Sequence, residues 1–71
     1  LKNMTKYIIK VTESRNGNGY IHFEWRNGCK YPECFGTNSV NAQLMTERQM
    51  SYFDTILNDN GFVYEIIPII L

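Results

Sequence analysis

Residues 5–26 read TKYIIKVTESRNGNGYIHFEWR, and their alternation decides the fold. Tyr7, Ile9 and Val11 fall on one side of an extended chain, and Lys6, Ile8, Lys10 and Thr12 fall on the other. Ile21, Phe23 and Trp25 share one face of a second extended run, with Tyr20, His22, Glu24 and Arg26 on its reverse. Between the two runs lies Ser14-Arg15-Asn16-Gly17-Asn18-Gly19, where Asn-Gly steps supply positive φ at little cost. A β-hairpin follows. Its two apolar faces reach the same core only if paired residue numbers have an even sum. Val11 opposite Ile21, Ile9 opposite Phe23 and Tyr7 opposite Trp25 satisfy this, and a slip of one residue would turn one apolar face to water.

Downstream of the hairpin, Asn27-Gly28 starts another turn, and Cys29–Gly36, with Pro32 inside it, reads as a loop. In residues 39–44, Val40, Ala42 and Leu44 alternate with Ser39, Asn41 and Gln43, the pattern of a short third strand. The helix is better marked. Thr46 and Gln49 make a capping box, Met45 is placed to staple to Met50, and Met50, Phe53 and Leu57 form an apolar stripe flanked by Ile56 and Gln49. Asn58-Asp59-Asn60-Gly61 closes it, with Gly61 as the left-handed residue. Residues 62–67 form a last strand. Phe62, Tyr64 and Ile66 lie on one face and Val63 and Ile67 on the other, as in a central strand or a covered edge. The predicted order is β-β-(β)-α-β. This is an α+β fold, a small antiparallel sheet packed on one helix, in a single domain over residues 1–71.

With 71 residues, the chain buries only about 60% of its unfolded surface, so the core is marginal. The hydrophobic fraction of 44% and the charged fraction of 20% are those of a globular protein rather than a disordered one. Net charge is zero but unevenly spread. Residues 1–35 hold Lys2, Lys6, Lys10, Arg15, Arg26 and Lys30 against Glu13, Glu24 and Glu33, while residues 36–71 hold Arg48 against Glu47, Asp54, Asp59 and Glu65. Such polarity steers partners or favours self-contact, and it lacks the continuous basic face of a duplex-DNA binder. No apolar h-region opens the chain, and no apolar run approaches the roughly 18 residues of a bilayer span. A cytoplasmic protein with reduced cysteines and no membrane association is expected. Asn, Ile, Lys, Tyr and Phe supply 29 residues, and Ala42 is the one alanine. Residues with AT-rich codons thus dominate, which suggests a low-GC bacterium, its phage or a mobile element.

Chemistry-bearing groups are sparse. Cys29 and Cys34, with His22 and Glu33 near in sequence, suggest zinc, but structural zinc prefers four ligands on tighter knuckles, so free thiols and a metal-free, cofactor-free fold are expected. His22 as a general base would need an orienting group; Glu24 lies about 7 Å along the same strand face. Asn16-Gly17-Asn18-Gly19 joins two strands and does not open a helix, so it is no phosphate cradle. Lys10, Tyr20, His22 and Arg26 share the outer hairpin face with Lys6, as basic and aromatic residues do in single-strand nucleic-acid binders, although Glu24 and Ile8 interrupt them. Tyr31 and Phe35 are large apolar groups in this loop, either aromatic anchors for a partner or, in the case of Phe35, a plug for the open end of the small core.

These residues point to a non-enzymatic interaction module. It would bind another protein, a host macromolecule that a phage or mobile-element protein blocks, through Tyr31, Phe35, Tyr20, His22, Arg26 and Lys10. Nucleic acid is the less favoured partner. The alternative is a small oligomer holding a nucleotide-type ligand at a subunit interface. A homodimer is expected because Ile66, Ile67, Ile69, Ile70 and Leu71 exceed what one helix can cover.

Overall fold

The computed structural model describes residues 4–15, 17–35 and 39–70, with the backbone alone at 24–26, 30–35 and 41. Strands β1 (Thr5–Glu13), β2 (Gly19–Arg26) and β3 (Cys29–Phe35) are followed by a 3₁₀ turn (Ser39–Asn41), helix α1 (Glu47–Asp59) and strand β4 (Val63–Ile70). The strands form one antiparallel sheet in the order β3-β2-β1-β4. The fold is α+β with one helix on the sheet, as the periodicity predicts.

Three local expectations are corrected. Cys29–Phe35 is a strand rather than a loop. Asn27 (φ 52°) and Gly28 (φ 79°) form a two-residue left-handed turn whose twist matches that of paired strands, so β3 folds straight back on β2. Residues 39–44 make no strand; the 3₁₀ turn takes Ser39–Asn41, and extended pairing appears only at Met45. The last strand runs to Ile70, through Pro68, instead of ending near residue 67.

The hairpin register also differs from the expected one. Lys10 pairs with Tyr20 and Val11 with Gly19. The sum is even, as the core requires, but two residues lower, because the turn is tighter. Ser14 Oγ donates to the Gly17 carbonyl at 2.6 Å, and Gly17 N–H donates back to the Ser14 carbonyl at 3.2 Å. A two-residue shift leaves every side chain on its face.

Beyond those pairs β1 and β2 part, and residues 43–45 run between them. Tyr7 exchanges two backbone hydrogen bonds with Met45, both 2.8 Å, and Gln43 N–H donates to the Ile21 carbonyl at 2.8 Å. Met45 is thereby fully buried. It joins Ile9, Val11, Ile21, Phe23, Phe53 and Leu57 in the core, with Met50, Ile56, Phe62, Tyr64 and Ile66 packed around it. The rings of Phe23 and Phe53 stack with centroids 4.6 Å apart. Trp25, expected beside them, has a side chain outside the described residues.

Both ends of α1 form as read. Gln49 N–H donates to Thr46 Oγ1 at 3.2 Å, and Thr46 N–H donates to Gln49 Oε1 at 3.0 Å. At the other end Phe62 N–H reaches the Leu57 carbonyl and Gly61 N–H the Asn58 carbonyl, with Gly61 at φ 76°. This is the Schellman arrangement, and Phe62 packs on the cluster that contains Leu57.

The two prolines sit on the two edge strands. Because Tyr7 spends its N–H and C=O on Met45, its pairing with Pro68 is a non-hydrogen-bonded one, and the donor that Pro68 lacks belongs to the outer rim of β4. Counting from the Arg26–Cys29 pair that closes its turn, Pro32 opposite Phe23 is likewise non-hydrogen-bonded, so the outer rim of β3 also lacks a donor.

Truncating this core should be costly. Phe53→Ala and Met45→Ala are expected to lose about 3–5 and 2–5 kcal/mol respectively, and Thr46→Ala about 1 kcal/mol. Urea unfolding of the three variants tests the order; a Met45→Ala cost no larger than that of Thr46→Ala would remove Met45 from its central place.

Candidate functional site

Helix α1 covers one face of the sheet, the side of Ile9, Val11, Ile21, Phe23, Tyr64 and Ile66. The other face has no helix among the described residues. The register builds it in rows. Glu65, Lys10, Tyr20 and Phe35 align across all four strands, Ile67 aligns with Ile8, Ile69 with Lys6, and His22 with Glu33. Ile8 is only 7% exposed although no helix among the described residues lies above it; Lys6, Lys10 and Ile67 around it are half-buried, as when long side chains lean over an aliphatic neighbour. Lys10 Nζ sits 5.8 Å from the centre of the Tyr20 ring, a cation–π contact that holds both heads at the surface.

The expected site residues thus divide. Lys10 and Tyr20 are brought together, and His22 lies two positions along β2, half-buried. Phe35 pairs with Tyr20 through the backbone. Arg26 is at the far end of β2 beside the turn, paired with Cys29, about 20 Å from Tyr20 by strand rise. Tyr31 pairs with Glu24. The side chains of Arg26, Tyr31 and Phe35 lie outside the described residues. The two aromatics are therefore positions on an edge strand and not the tip of a loop. Asn27-Gly28 was the signal for this, since Asn-Gly between two strand-like runs marks a tight hairpin.

Other chemistry is limited. Cys29 is exposed with a free thiol, and the thiol of Cys34 is outside the described residues. Among the described residues no three of His, Cys, Asp and Glu come together as a metal site. Among them also, no helix is long and apolar enough to cross a membrane.

Among the described residues the one perturbed group is on the helix side, and sequence reading passed over it. Tyr64 Oη donates to Asp54 Oδ1 at 2.5 Å and lies 2.8 Å from the Asp54 carbonyl, tying β4 to the middle of α1. Burial first, then the hydrogen bond and the negative charge of Asp54, push this phenol from 10.0 up to about 12. A phenol held protonated is a donor, not a base, and the arrangement is a tether between helix and strand.

Compared with known proteins, the chain matches no family model, no curated protein sequence and no solved structure.

The tether carries a pH signature. Its phenol is protonated in the folded state up to a higher pH than in the unfolded chain, so the stabilisation is fully present below pH 10 and lost as pH rises towards about 12. Tyr64→Phe should cost about 1 kcal/mol at neutral pH. The gap between the two proteins, measured by urea unfolding, should close between pH 10 and about 12; a gap unchanged over that window would show that the hydroxyl contributes nothing.

Proposed function

We propose that the chain is a non-enzymatic interaction module that docks on another protein through the sheet face opposite α1. One observation carries this reading. A face that no helix covers among the described residues presents half-buried Ile67, Ile69, Tyr20 and His22 beside the cation of Lys10. Side chains of this kind, aromatic and aliphatic with a basic rim, are those that gain most when a partner removes them from water. They stand on strands and so keep their spacing without an ordering cost on binding. The AT-rich composition suggests the setting, a phage or mobile-element protein that blocks a host macromolecule in the cytoplasm.

Capture on the immobilised chain tests the proposal. A protein retained by the wild type should bind at least tenfold more weakly to Tyr20→Ala and His22→Ala, and equally well to Arg48→Ala on the exposed side of α1. Retention that ignores the sheet-face variants, or retained nucleic acid whose affinity falls steeply with salt, would overturn it.

A further inference from the structure

On the β1–β4 half of the open face three rows follow one another: Lys10 beside Glu65, Ile8 beside Ile67, Lys6 beside Ile69. We propose that this half is covered by a second copy of the chain, related by a two-fold axis that runs parallel to the strands, midway between β1 and β4. The inference rests on the reading of this face as an interaction surface and names the occupant of one part of it.

The charges select the geometry. Rotation about that axis lays each β1 residue over the β4 residue of the same row. Lys10 then faces the partner's Glu65, and Glu65 faces the partner's Lys10, so one contact is made twice, as an isologous interface requires. Ile67 closes over the partner's Ile8, and Ile69 lies on the stem of the partner's Lys6. The other in-plane two-fold axis, at right angles to the strands, would set Lys10 against the partner's Lys6 and is disfavoured by like charge. Edge-to-edge pairing is disfavoured as well, because Pro68 takes a donor from the β4 rim and Pro32 one from the β3 rim. Face-to-face packing leaves both rims as they are and keeps the strand directions of the two sheets within about 30°.

The contact is two strands wide, about 10 Å, and as long as β4, about 27 Å. That footprint, about 270 Å² on each copy, lies below standard specific interfaces and in the weak, transient range, so the dimer should be reversible, with Kd in the range of about 1–100 μM. β2, with Tyr20 and His22, lies outside the overlap and stays available to a different protein.

Sedimentation of the full chain over that concentration range, with circular-dichroism melting to confirm folding, tests the arrangement. The wild type should dimerise. Lys10→Glu and Glu65→Lys should each weaken the dimer on the order of tenfold or more, since like charges then meet at both symmetric positions. The double variant Lys10→Glu/Glu65→Lys should restore it. Ile69→Lys, which sets an ammonium against the partner's Lys6, should weaken it independently and serves if a reversal unfolds the chain. A wild type that stays monomeric throughout, single variants that dimerise as well as the wild type, or a double variant no better than the singles would each overturn the proposal. A monomer whose protein capture still depends on Tyr20 and His22 would overturn the dimer alone. A charge-swappable dimer whose capture ignores those two residues would overturn the partner reading alone.

Discussion

The fold depends on how the backbone of β1 is shared. A strand has two hydrogen-bonding edges, and the full length of one goes to β4. The other is divided: Val11 and Lys10 pair with β2 near the hairpin turn, and Tyr7 pairs with Met45 further down. Twisted two-stranded ribbons splay, and a splayed hairpin leaves N–H and C=O groups in a gap that must be filled. The chain fills it with residues 43–45, the residues that lead directly into the N-cap of α1. The wedge therefore satisfies the gap and also fixes where the helix starts, so that Phe53 arrives over Phe23 and Leu57 enters the core.

This division explains which parts of the fold were legible in the sequence. Local chemistry was legible. Thr46 with Gln49 and Asn60 with Gly61 mark their own positions, because caps depend on neighbours within a few residues. The even pairing parity was legible too, since burial on one face demands it. The exact register was not, because it turned on how tightly Ser14 and Gly17 close the loop. The role of Met45 was invisible as well: pairing with Tyr7 across 38 positions leaves no periodic trace, and a single buried methionine before a cap reads equally well as a staple. Pro32 hid β3, because a proline inside a run argues against a strand unless the strand is known to be an edge.

The candidate site was legible in part for the same reason. Alternation put Lys10, Tyr20 and His22 on one face, and the sheet does place Lys10 against Tyr20. What alternation could not supply was the neighbour on the other side, β4, whose Glu65, Ile67 and Ile69 complete the rows. They come from the far end of the chain, and their pairing with Lys10, Ile8 and Lys6 follows only once the β1–β4 register exists. The β1–β4 half of this face is thus assembled from strands far apart in the sequence, while its support, α1 and its tether from Tyr64 to Asp54, comes mostly from the segment between.

A sheet that no helix among the described residues covers on one face would ordinarily be a hazard at high concentration, because the rims of such sheets recruit further strands into growing ribbons. Here each rim has a missing donor at a fixed place, Pro32 on one side and Pro68 on the other. Lateral growth therefore has no complete ladder to copy on either rim. Strand-by-strand addition, the route by which a sheet grows into a ribbon, is thus interrupted at one fixed position on each side of the fold.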